Sequence, residues 1–276
     1  MTDVLNEQSR DLTGSVSPVV IFDSGVGGLS IFDEVRRQLP WLPMVYCSDN
    51  TGFPYGPKSE AEVIVRVREC LCRLQESYQP QLVVIACNTA STVVLPCVRQ
   101  ELSVPVVGVV PAIKTAASLS RNHCIGLLAT PGTVNRPYIN QLIREFASDC
   151  DVVRVGSSEL VHLAEQQLRG QPVNQVHLAE ILSPFVHRSL TPDYIVLGCT
   201  HFPLLKAALS ACVPDVQWVD SGQAIARRVG HLIKKPDSVS DHNSSHVVVF
   251  TQACNTIEAL MPALCARNIS DIQLLP

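Results

Sequence analysis

Two cysteines stand where a thiol can exchange protons with a bound ligand. Cys87 and Cys199 each follow an apolar run that predicts a buried strand, at 82–86 and 195–198. Ligands bind at the carboxyl edge of parallel strands, and a helix that starts at a cysteine stabilises its thiolate. Asn88 and Thr89 are residues of the capping type that predict such a helix after Cys87. A thiol so placed is expected to have a pKa below about 8.5, which suits an acid and base near neutral pH; the alternative is a buried structural thiol.

A glycine-rich turn contains the first candidate carboxylate. Residues 21–30 read Ile-Phe-Asp-Ser-Gly-Val-Gly-Gly-Leu-Ser, which predicts a strand, a turn and a helix. Backbone N–H groups in such a turn can hold an anion, but the spacing is neither a P-loop nor a dinucleotide fingerprint. Asp23 would repel phosphate, so it is better suited to meet an ammonium group or to orient a catalytic group. The alternative is a tight turn in which Asp23 caps the helix.

Three weaker candidates accompany these motifs. His201 lies two residues after Cys199 in Gly-Cys-Thr-His-Phe-Pro-Leu-Leu (198–205), so both side chains can line one edge of a cleft. Tyr55 lies in a turn-rich segment at 53–58 that could form a cleft wall or an ordinary loop. Glu165 lies in the predicted helix 159–169, where the local pattern indicates a solvated carboxylate.

Cys254 is the main competitor among the remaining cysteines. Residues 253–256 read Ala-Cys-Asn-Thr, as residues 86–89 do. This segment follows a predicted strand at 246–251 and is expected to start the C-terminal helix. It has no counterpart in the internal repeat described below, so we expect Cys254 to be structural.

The amino-acid composition limits the classes of protein to which the chain can belong. The 276 residues are 46% hydrophobic, which is enough for sizeable cores, and a net charge of −4 indicates neither nucleic-acid nor membrane partners. Residues 1–18 are polar and predict a loose N-terminal extension without a signal peptide. An odd count of 11 cysteines then favours a reducing cytoplasm over a disulfide framework. We expect no metal site.

Apolar runs alternate with amphipathic segments along the chain. Nine buried strands are predicted, with helices between them, of which Ser59–Tyr78 is the clearest because Ser59 and Glu62 form a capping box. Several strands are continuously apolar, as parallel strands covered on both faces are. The fold class is therefore α/β, with two pseudo-symmetric, doubly wound halves, mostly parallel sheets and an active site in the cleft between them. We expect the first half at 19–112 plus 223–276 and the second at 113–222.

The division into halves follows from an internal repeat. Segments 20–25, 84–89 and 106–111 of the first half have counterparts at 125–130, 196–201 and 216–221. Each half would then contain one cysteine at a strand end. The alternative is that any two α/β units look alike at this level.

Three motifs together resemble those of glutamate racemases, in the aspartate/glutamate racemase superfamily, over about residues 19–230. They are Asp-Ser-Gly-Val-Gly-Gly-Leu-Ser (23–30), Ala-Cys-Asn-Thr-Ala-Ser-Thr (86–92) and Gly-Cys-Thr-His-Phe-Pro-Leu-Leu (198–205). The resemblance implies that Cys87 deprotonates D-glutamate and Cys199 deprotonates L-glutamate, with Asp23 and His201 assisting the neighbouring thiols. Glu165 falls where the family has an assisting carboxylate. The implied substrate contacts are Asp23, Ser24, Tyr55, Gly56, Asn88, Thr89, Thr200 and His201.

The resemblance also implies the setting of the reaction. It implies no metal, pyridoxal phosphate or nucleotide cofactor, and a role in supplying D-glutamate for bacterial peptidoglycan. The polar N-terminal extension is similar to that of Gram-negative members, some of which a peptidoglycan precursor activates. The sequence leaves open whether the chain is a monomer or a homodimer.

Three other functions remain open on the residues alone. The same two thiols could racemise aspartate or another acidic amino acid. Cys87 and Cys199 could instead form a redox pair, or the turn at 25–28 could bind carboxylates in a protein without catalytic activity.

Overall fold

The computed structural model describes residues 16–237 and 244–276, so most of the predicted N-terminal extension lies outside the described residues. Within these ranges the chain forms ten strands, eleven α-helices and two 3₁₀ helices. The strands are β1 (Val19–Asp23), β2 (Met44–Ser48), β3 (Leu82–Ile85), β4 (Val106–Gly108), β5 (Cys124–Ala129), β6 (Asp151–Gly156), β7 (Tyr194–Leu197), β8 (Gln217–Val219), β9 (His246–Phe250) and β10 (Ile269–Leu274).

The helices fill the intervals between these strands. The α-helices are α1 (Leu29–Gln38), α2 (Glu60–Tyr78), α3 (Asn88–Glu101), α4 (Ile113–Leu119), α5 (Pro131–Val134), α6 (Pro137–Phe146), α7 (Glu159–Leu168), α8 (Gln175–Val186), α9 (Lys206–Cys212), α10 (Gly222–Leu232) and α11 (Met261–Cys265). The 3₁₀ helices are Phe202–Leu205 and Glu258–Leu260. In the described part of the chain, no helix combines the length and the apolar character that crossing a bilayer requires.

The chain divides into two compact units, each with its own sheet. Unit 1 comprises the residues up to Val109 together with Gly222–Pro276, and unit 2 comprises Val110–Ser221. The sheet of unit 1 has the strand order β10-β9-β2-β1-β3-β4, and that of unit 2 has the order β6-β5-β7-β8. All strand pairs in both sheets are parallel, which confirms the predicted α/β class with mostly parallel sheets.

Four strands of unit 1 have the same order as the four strands of unit 2. The run β2-β1-β3-β4 corresponds to β6-β5-β7-β8, both spatially and in chain order. Cys87 follows β3, and Cys199 follows its counterpart β7. The topology therefore agrees with the correspondence of segments in the internal repeat.

Burial explains why the predicted strands form where they do. All five residues of β1 are buried, as expected for a central strand covered on both faces. The residues of β6 alternate between exposed and buried after its first positions, because this strand lies at the edge of its sheet.

Helix α2 begins after Ser59, as the sequence predicts. Ser59 Oγ accepts a hydrogen bond from the Glu62 backbone N–H at 3.2 Å, whereas the Glu62 carboxylate accepts one from Lys58 Nζ at 2.5 Å instead of closing the capping box. The apolar face of the helix is buried at Val63, Val67, Leu71 and Leu74.

The C-terminal segment differs from the expectation. Cys254 does not start a helix: it lies in a turn between β9 and the 3₁₀ helix Glu258–Leu260. The last strand, β10, was not predicted. Its apolar residues are interrupted by Ser270, Asp271 and Gln273 along an edge strand, so it lacks the continuous apolar run of the central strands.

Candidate functional site

The strand β3 and the helix α3 position Cys87. This residue is the N-cap of α3, has extended backbone angles (φ −82°, ψ 118°) and is 6% exposed. Its carbonyl accepts the hydrogen bond of the first helical turn from Ser91 N at 2.9 Å. The thiol therefore lies beside the N-terminus of a 14-residue helix, where the helix dipole favours a thiolate.

A buried carboxylate supports Cys87 through a hydroxyl group. Asp23 ends β1 and is 0% exposed. Its Oδ1 accepts hydrogen bonds from Ser24 Oγ at 3.2 Å and from Gly25 N at 3.3 Å. Ser24 Oγ in turn lies 3.9 Å from Cys87 Sγ. The three side chains form a chain from carboxylate to thiol, within unit 1.

The glycine-rich turn is shaped by its approach to Asp23. A Cβ atom added at Gly28 would lie 2.9 Å from Asp23 Cβ and 3.0 Å from both Asp23 Oδ2 and Ala86 Cβ. Gly28, not Asp23, is the N-cap residue of α1. The interpretation of Asp23 as a helix cap is therefore wrong, because its carboxylate is engaged with Ser24 and Gly25.

Tyr55 belongs to the same buried cluster as Cys87. Its hydroxyl donates a hydrogen bond to Asp49 Oδ2 at 2.6 Å. Asp49 also accepts two hydrogen bonds from Arg66, from Nε to Oδ2 at 2.8 Å and from Nη2 to Oδ1 at 2.6 Å. Burial would raise the pKa of Asp49, but the hydrogen bonds from Arg66, Tyr55 and Thr251 outweigh it and lower the pKa. Burial and the Asp49 charge raise the pKa of Tyr55 far above its usual range, so its hydroxyl stays protonated.

Sequence reasoning missed Asp49 and Arg66. Asp49 directly follows β2 and is fully buried, at the sheet edge where Asp23 and Cys87 lie. A polar residue at this third strand end is a signal that could have identified it. Arg66 gave no such signal, because its place on α2 is that of an ordinary helix-surface cation.

The second candidate thiol is supported by a histidine and a carboxylate. Cys199 Sγ lies 3.8 Å from His201 Nδ1, and His201 Nε2 lies 2.9 Å from Glu165 Oε1. Cys199, His201 and Glu165 are 8%, 3% and 9% exposed. The helix α7 therefore presents Glu165 to the site, and the expectation of a solvated carboxylate is wrong.

His201 is protonated more readily than an ordinary histidine. Burial would lower its pKa, but hydrogen bonds and charge interactions with Cys199 and Glu165 raise the pKa well above 6.5. A protonated imidazole donates from both ring nitrogens, so it can hold the Glu165 carboxylate on one side and a Cys199 thiolate on the other.

Arg169 extends this chain and was not predicted as a site residue. Its Nη1 lies 2.6 Å from Glu165 Oε2 and 2.7 Å from the Glu165 carbonyl oxygen. The spacing of four residues on one helix is the signal that could have found the pair.

The remaining predicted contact residues lie after three strands, β1, β3 and β7, and in the loop that precedes α2. Ser24, Asn88, Thr89 and Thr200 are each 4–5% exposed, and Gly56 is partly exposed next to Tyr55. Among the described residues, Asn88 Oδ1 is buried and has no hydrogen-bond partner. A buried acceptor without a partner is costly unless a ligand donates to it.

Three cysteines outside the two candidate positions lack the surroundings of a proton-transfer group. Burial raises the pKa of the Cys47 thiol well above its usual range and that of Cys70 to about 12. Neither is a thiolate near neutral pH. Cys254 is exposed, with its Sγ 3.1 Å from Thr256 Oγ1, outside the buried cluster that contains Cys87.

A group of three potential metal ligands lies away from these side chains. In the part of the chain that the structure describes, His123, Asp149 and Cys150 have ligand atoms within 4.8 Å of one another. They precede β5 and β6, at the amino edge of a sheet whose carboxyl edge leads to Cys199.

Known proteins resemble this chain over most of its length. The family model for Asp/Glu/Hydantoin racemase matches residues 28–229. A glutamate racemase of Pectobacterium carotovorum is 48% identical over 259 residues, which cover 94% of this chain and 91% of that protein.

Solved structures share the fold. Escherichia coli glutamate racemase, in complex with L-glutamate and the activator UDP-MurNAc-ala, superposes with a TM-score of 0.88 at 46% identity, covering 94% of this chain and 98% of that one. The glutamate racemase of Aquifex pyrophilus has a TM-score of 0.73 at 31% identity, covering 94% and 98%. By sequence and by fold, the chain belongs to the Asp/Glu/Hydantoin racemase family.

Proposed function

We propose that this chain is a cofactor-independent glutamate racemase that supplies D-glutamate for peptidoglycan synthesis. One observation carries the chemistry: each unit supports a thiol at a strand end with a buried carboxylate, Asp23 through Ser24 and Glu165 through His201. The choice of glutamate rests on relatives at 46–48% identity that bear that name.

Racemisation without a cofactor needs two proton-transfer groups. The α-proton of an amino acid is weakly acidic, so a positioned base must remove it while the site stabilises the carbanion. A thiolate takes the proton on one face, forming S–H as the C–H bond breaks. The second thiol gives its proton to the opposite face of the carbanion and becomes the thiolate.

The two thiols have opposite stereochemical roles in this proposal. Cys199 removes the proton of L-glutamate, and Cys87 then protonates the carbanion to give D-glutamate. The reverse reaction starts at Cys87. His201 stabilises the thiolate of Cys199, and the Asp23–Ser24 pair positions that of Cys87.

The polar residues at the strand ends hold the substrate. Asn88 Oδ1, which is buried without a partner among the described residues, accepts from the substrate ammonium group. Asp23 offers it a negative charge, and the N-terminus of α3 offers N–H groups to a carboxylate. The full set of proposed contacts is Asp23, Ser24, Tyr55, Gly56, Asn88, Thr89, Thr200 and His201.

A peptidoglycan precursor activates the enzyme in this proposal. The support is the Escherichia coli relative, whose structure contains the activator UDP-MurNAc-ala. Adding that nucleotide sugar to the purified protein should raise the racemisation rate. An unchanged rate across its concentration range would contradict activation. The reaction is expected in the cytoplasm.

The test of the function is a chiral assay. Purified protein with L-glutamate and a thiol reductant, without added cofactor, should produce D-glutamate until the enantiomers are equal. L-Aspartate in parallel tests the alternative substrate and should react far more slowly. Faster conversion of aspartate would overturn the choice of glutamate, and no conversion of either, with or without the nucleotide sugar, would overturn the racemase.

A further inference from the structure

We infer that Arg169 is a positioning residue for the Cys199 half of the reaction, acting through Glu165 and His201. The inference rests on the proposed function, because it assigns Cys199 the proton transfer at L-glutamate. It adds a fourth member, from the end of α7, to the chain Cys199–His201–Glu165.

The contacts of Arg169 fix the Glu165 carboxylate. One nitrogen, Nη1, contacts both Oε2 and the backbone carbonyl of Glu165, at 2.6 and 2.7 Å. The other carboxylate oxygen, Oε1, remains directed at His201 Nε2. Both side chains of the pair are largely buried, with Arg169 18% and Glu165 11% exposed. The carboxylate is therefore held between a guanidinium and an imidazole.

The charge of Arg169 affects the Cys199 thiol through the two charged side chains that lie between them, Glu165 and His201. Without Arg169, the buried Glu165 carboxylate would keep only the His201 imidazolium as a cationic partner, so the proton would move more readily from His201 to Glu165 and leave a neutral acid beside a neutral imidazole. The thiolate of Cys199 would then lose its counter-ion. With Arg169 present, four alternating charges (guanidinium, carboxylate, imidazolium and thiolate) stabilise one another in sequence.

Arg169 also lies at the C-cap of α7, where its contact with the Glu165 carbonyl stabilises the helix end. A merely structural role would lower thermal stability without changing which thiol is reactive. The test must therefore measure the two thiols separately.

Alkylation of each thiol provides that measurement. The wild-type protein, Arg169→Lys and Arg169→Met are treated with iodoacetamide at neutral pH, and the rates at Cys199 and Cys87 are followed by peptide mass spectrometry. Because the thiolate is the nucleophile, the Cys199 rate should fall in Arg169→Met relative to Cys87, by up to about tenfold, which is the bound set by losing the hydrogen bond between Arg169 and the charged Glu165. Arg169→Lys, which keeps the charge, should be less affected.

A control variant removes an exposed ion pair elsewhere in the chain. Arg37 pairs with Glu34 on α1 at 2.6 Å and is exposed. Arg37→Met should leave the ratio of the two alkylation rates unchanged.

Kinetic isotope effects give a second readout. The equilibrium constant between the two enantiomers is one, so kcat/KM must be equal for L- and D-glutamate in every variant. A comparison of the two kcat/KM values therefore cannot show which proton transfer has become slower, but isotope effects can. With Arg169→Met, the effect of α-deuterium on kcat/KM should rise for L-glutamate and fall for D-glutamate. Unchanged isotope effects and an unchanged alkylation ratio would overturn the inference, even if the variant were less stable. A wild-type protein with no racemase activity would overturn the proposed function, while the alkylation ratio would still decide the role of Arg169.

Discussion

At the scale of residues, the two candidate thiols have different supports. Cys87 contacts a hydroxyl that donates to the Asp23 carboxylate, whereas Cys199 contacts an imidazole held by Glu165. Both supports end in a buried carboxylate, but only that of Cys199 includes a group whose raised pKa favours a positive charge. The two thiols therefore have different electrostatic surroundings.

Replacement of either thiol should abolish racemisation. Cys87→Ser and Cys199→Ser should each lower kcat by at least about a thousandfold, because a serine hydroxyl is too weak an acid to replace a thiol in either proton transfer. Cys254→Ser is the control, since the same residue type in an exposed turn should be dispensable. Chiral chromatography of the three variants provides the measurement, and a strong loss in Cys254→Ser would overturn this assignment.

Residue types and spacing predicted Cys87, Cys199, Asp23 and His201 as candidates, because polar residues at the ends of apolar strands are visible in one dimension. The side chains that these candidates contact in the folded protein are not visible in the sequence. The local pattern of α7 indicates a solvated Glu165, because a helical pattern cannot show what faces it, and only the family resemblance implied a role for this carboxylate. Asp49 and Arg66 meet only when α2 brings Arg66 to the end of β2.

At the scale of elements, the turn between β1 and α1 positions Asp23. Gly28 passes so close to Asp23 and Ala86 that no side chain fits without displacement. The strand, the turn and the helix were all predicted from the sequence. The sequence did not predict why residue 28 is a glycine, which is that the turn passes close to Asp23 and Ala86.

A pair of glycine substitutions tests this constraint. Gly28→Ala should destabilise the protein by about 1–3 kcal/mol through overpacking, and should lower activity by displacing Asp23. Gly230→Ala in α10 should instead stabilise it by about 0.5–1 kcal/mol, because an added Cβ would lie 3.5 Å from Leu39. Urea denaturation of both variants gives the free energies of unfolding. Equal effects would contradict the argument.

The start of β9 contains a buried histidine that should make stability depend on pH. His246 is 1% exposed, and among the described residues neither ring nitrogen has a hydrogen-bond partner. Its ring packs edge-to-face on Phe32 with centroids 5.0 Å apart. Burial, with a smaller contribution from Arg36, lowers its pKa from 6.5 to about 4.

The direction of this effect follows from proton uptake. Between pH 6.5 and about 4, the unfolded chain binds a proton at His246 that the folded protein does not, so stability falls as pH falls through this window. The full loss is about 3 kcal/mol. His246→Leu removes the titrating group, so the variant should gain stability over the wild type as pH falls. Urea denaturation at pH 7 and pH 5 measures the difference, and a difference independent of pH would contradict the account.

At the scale of the whole molecule, the chain repeats one arrangement of four parallel strands in two units. The order β2-β1-β3-β4 in unit 1 recurs as β6-β5-β7-β8 in unit 2, with a cysteine after the third strand of each in chain order. The sequence predicted this correspondence from three pairs of segments. It did not predict β10, whose edge position allows a polar and interrupted sequence.

Two units with one supported thiol each suit a reaction that needs one acid and one base. The proposal requires that both thiols reach opposite faces of the same substrate molecule. This requirement is the central claim, and the hydrogen isotope found at Cα reports on it.

The most direct test follows that isotope in deuterium oxide. Protiated L-glutamate is incubated with the purified protein, and both enantiomers are separated at early conversion and examined by mass spectrometry. A two-thiol mechanism predicts D-glutamate with deuterium at Cα, while the remaining L-glutamate keeps its protium. D-Glutamate that retains protium, or deuterium that appears equally in the remaining L-glutamate, would show that a single group takes and returns the proton and would contradict the account.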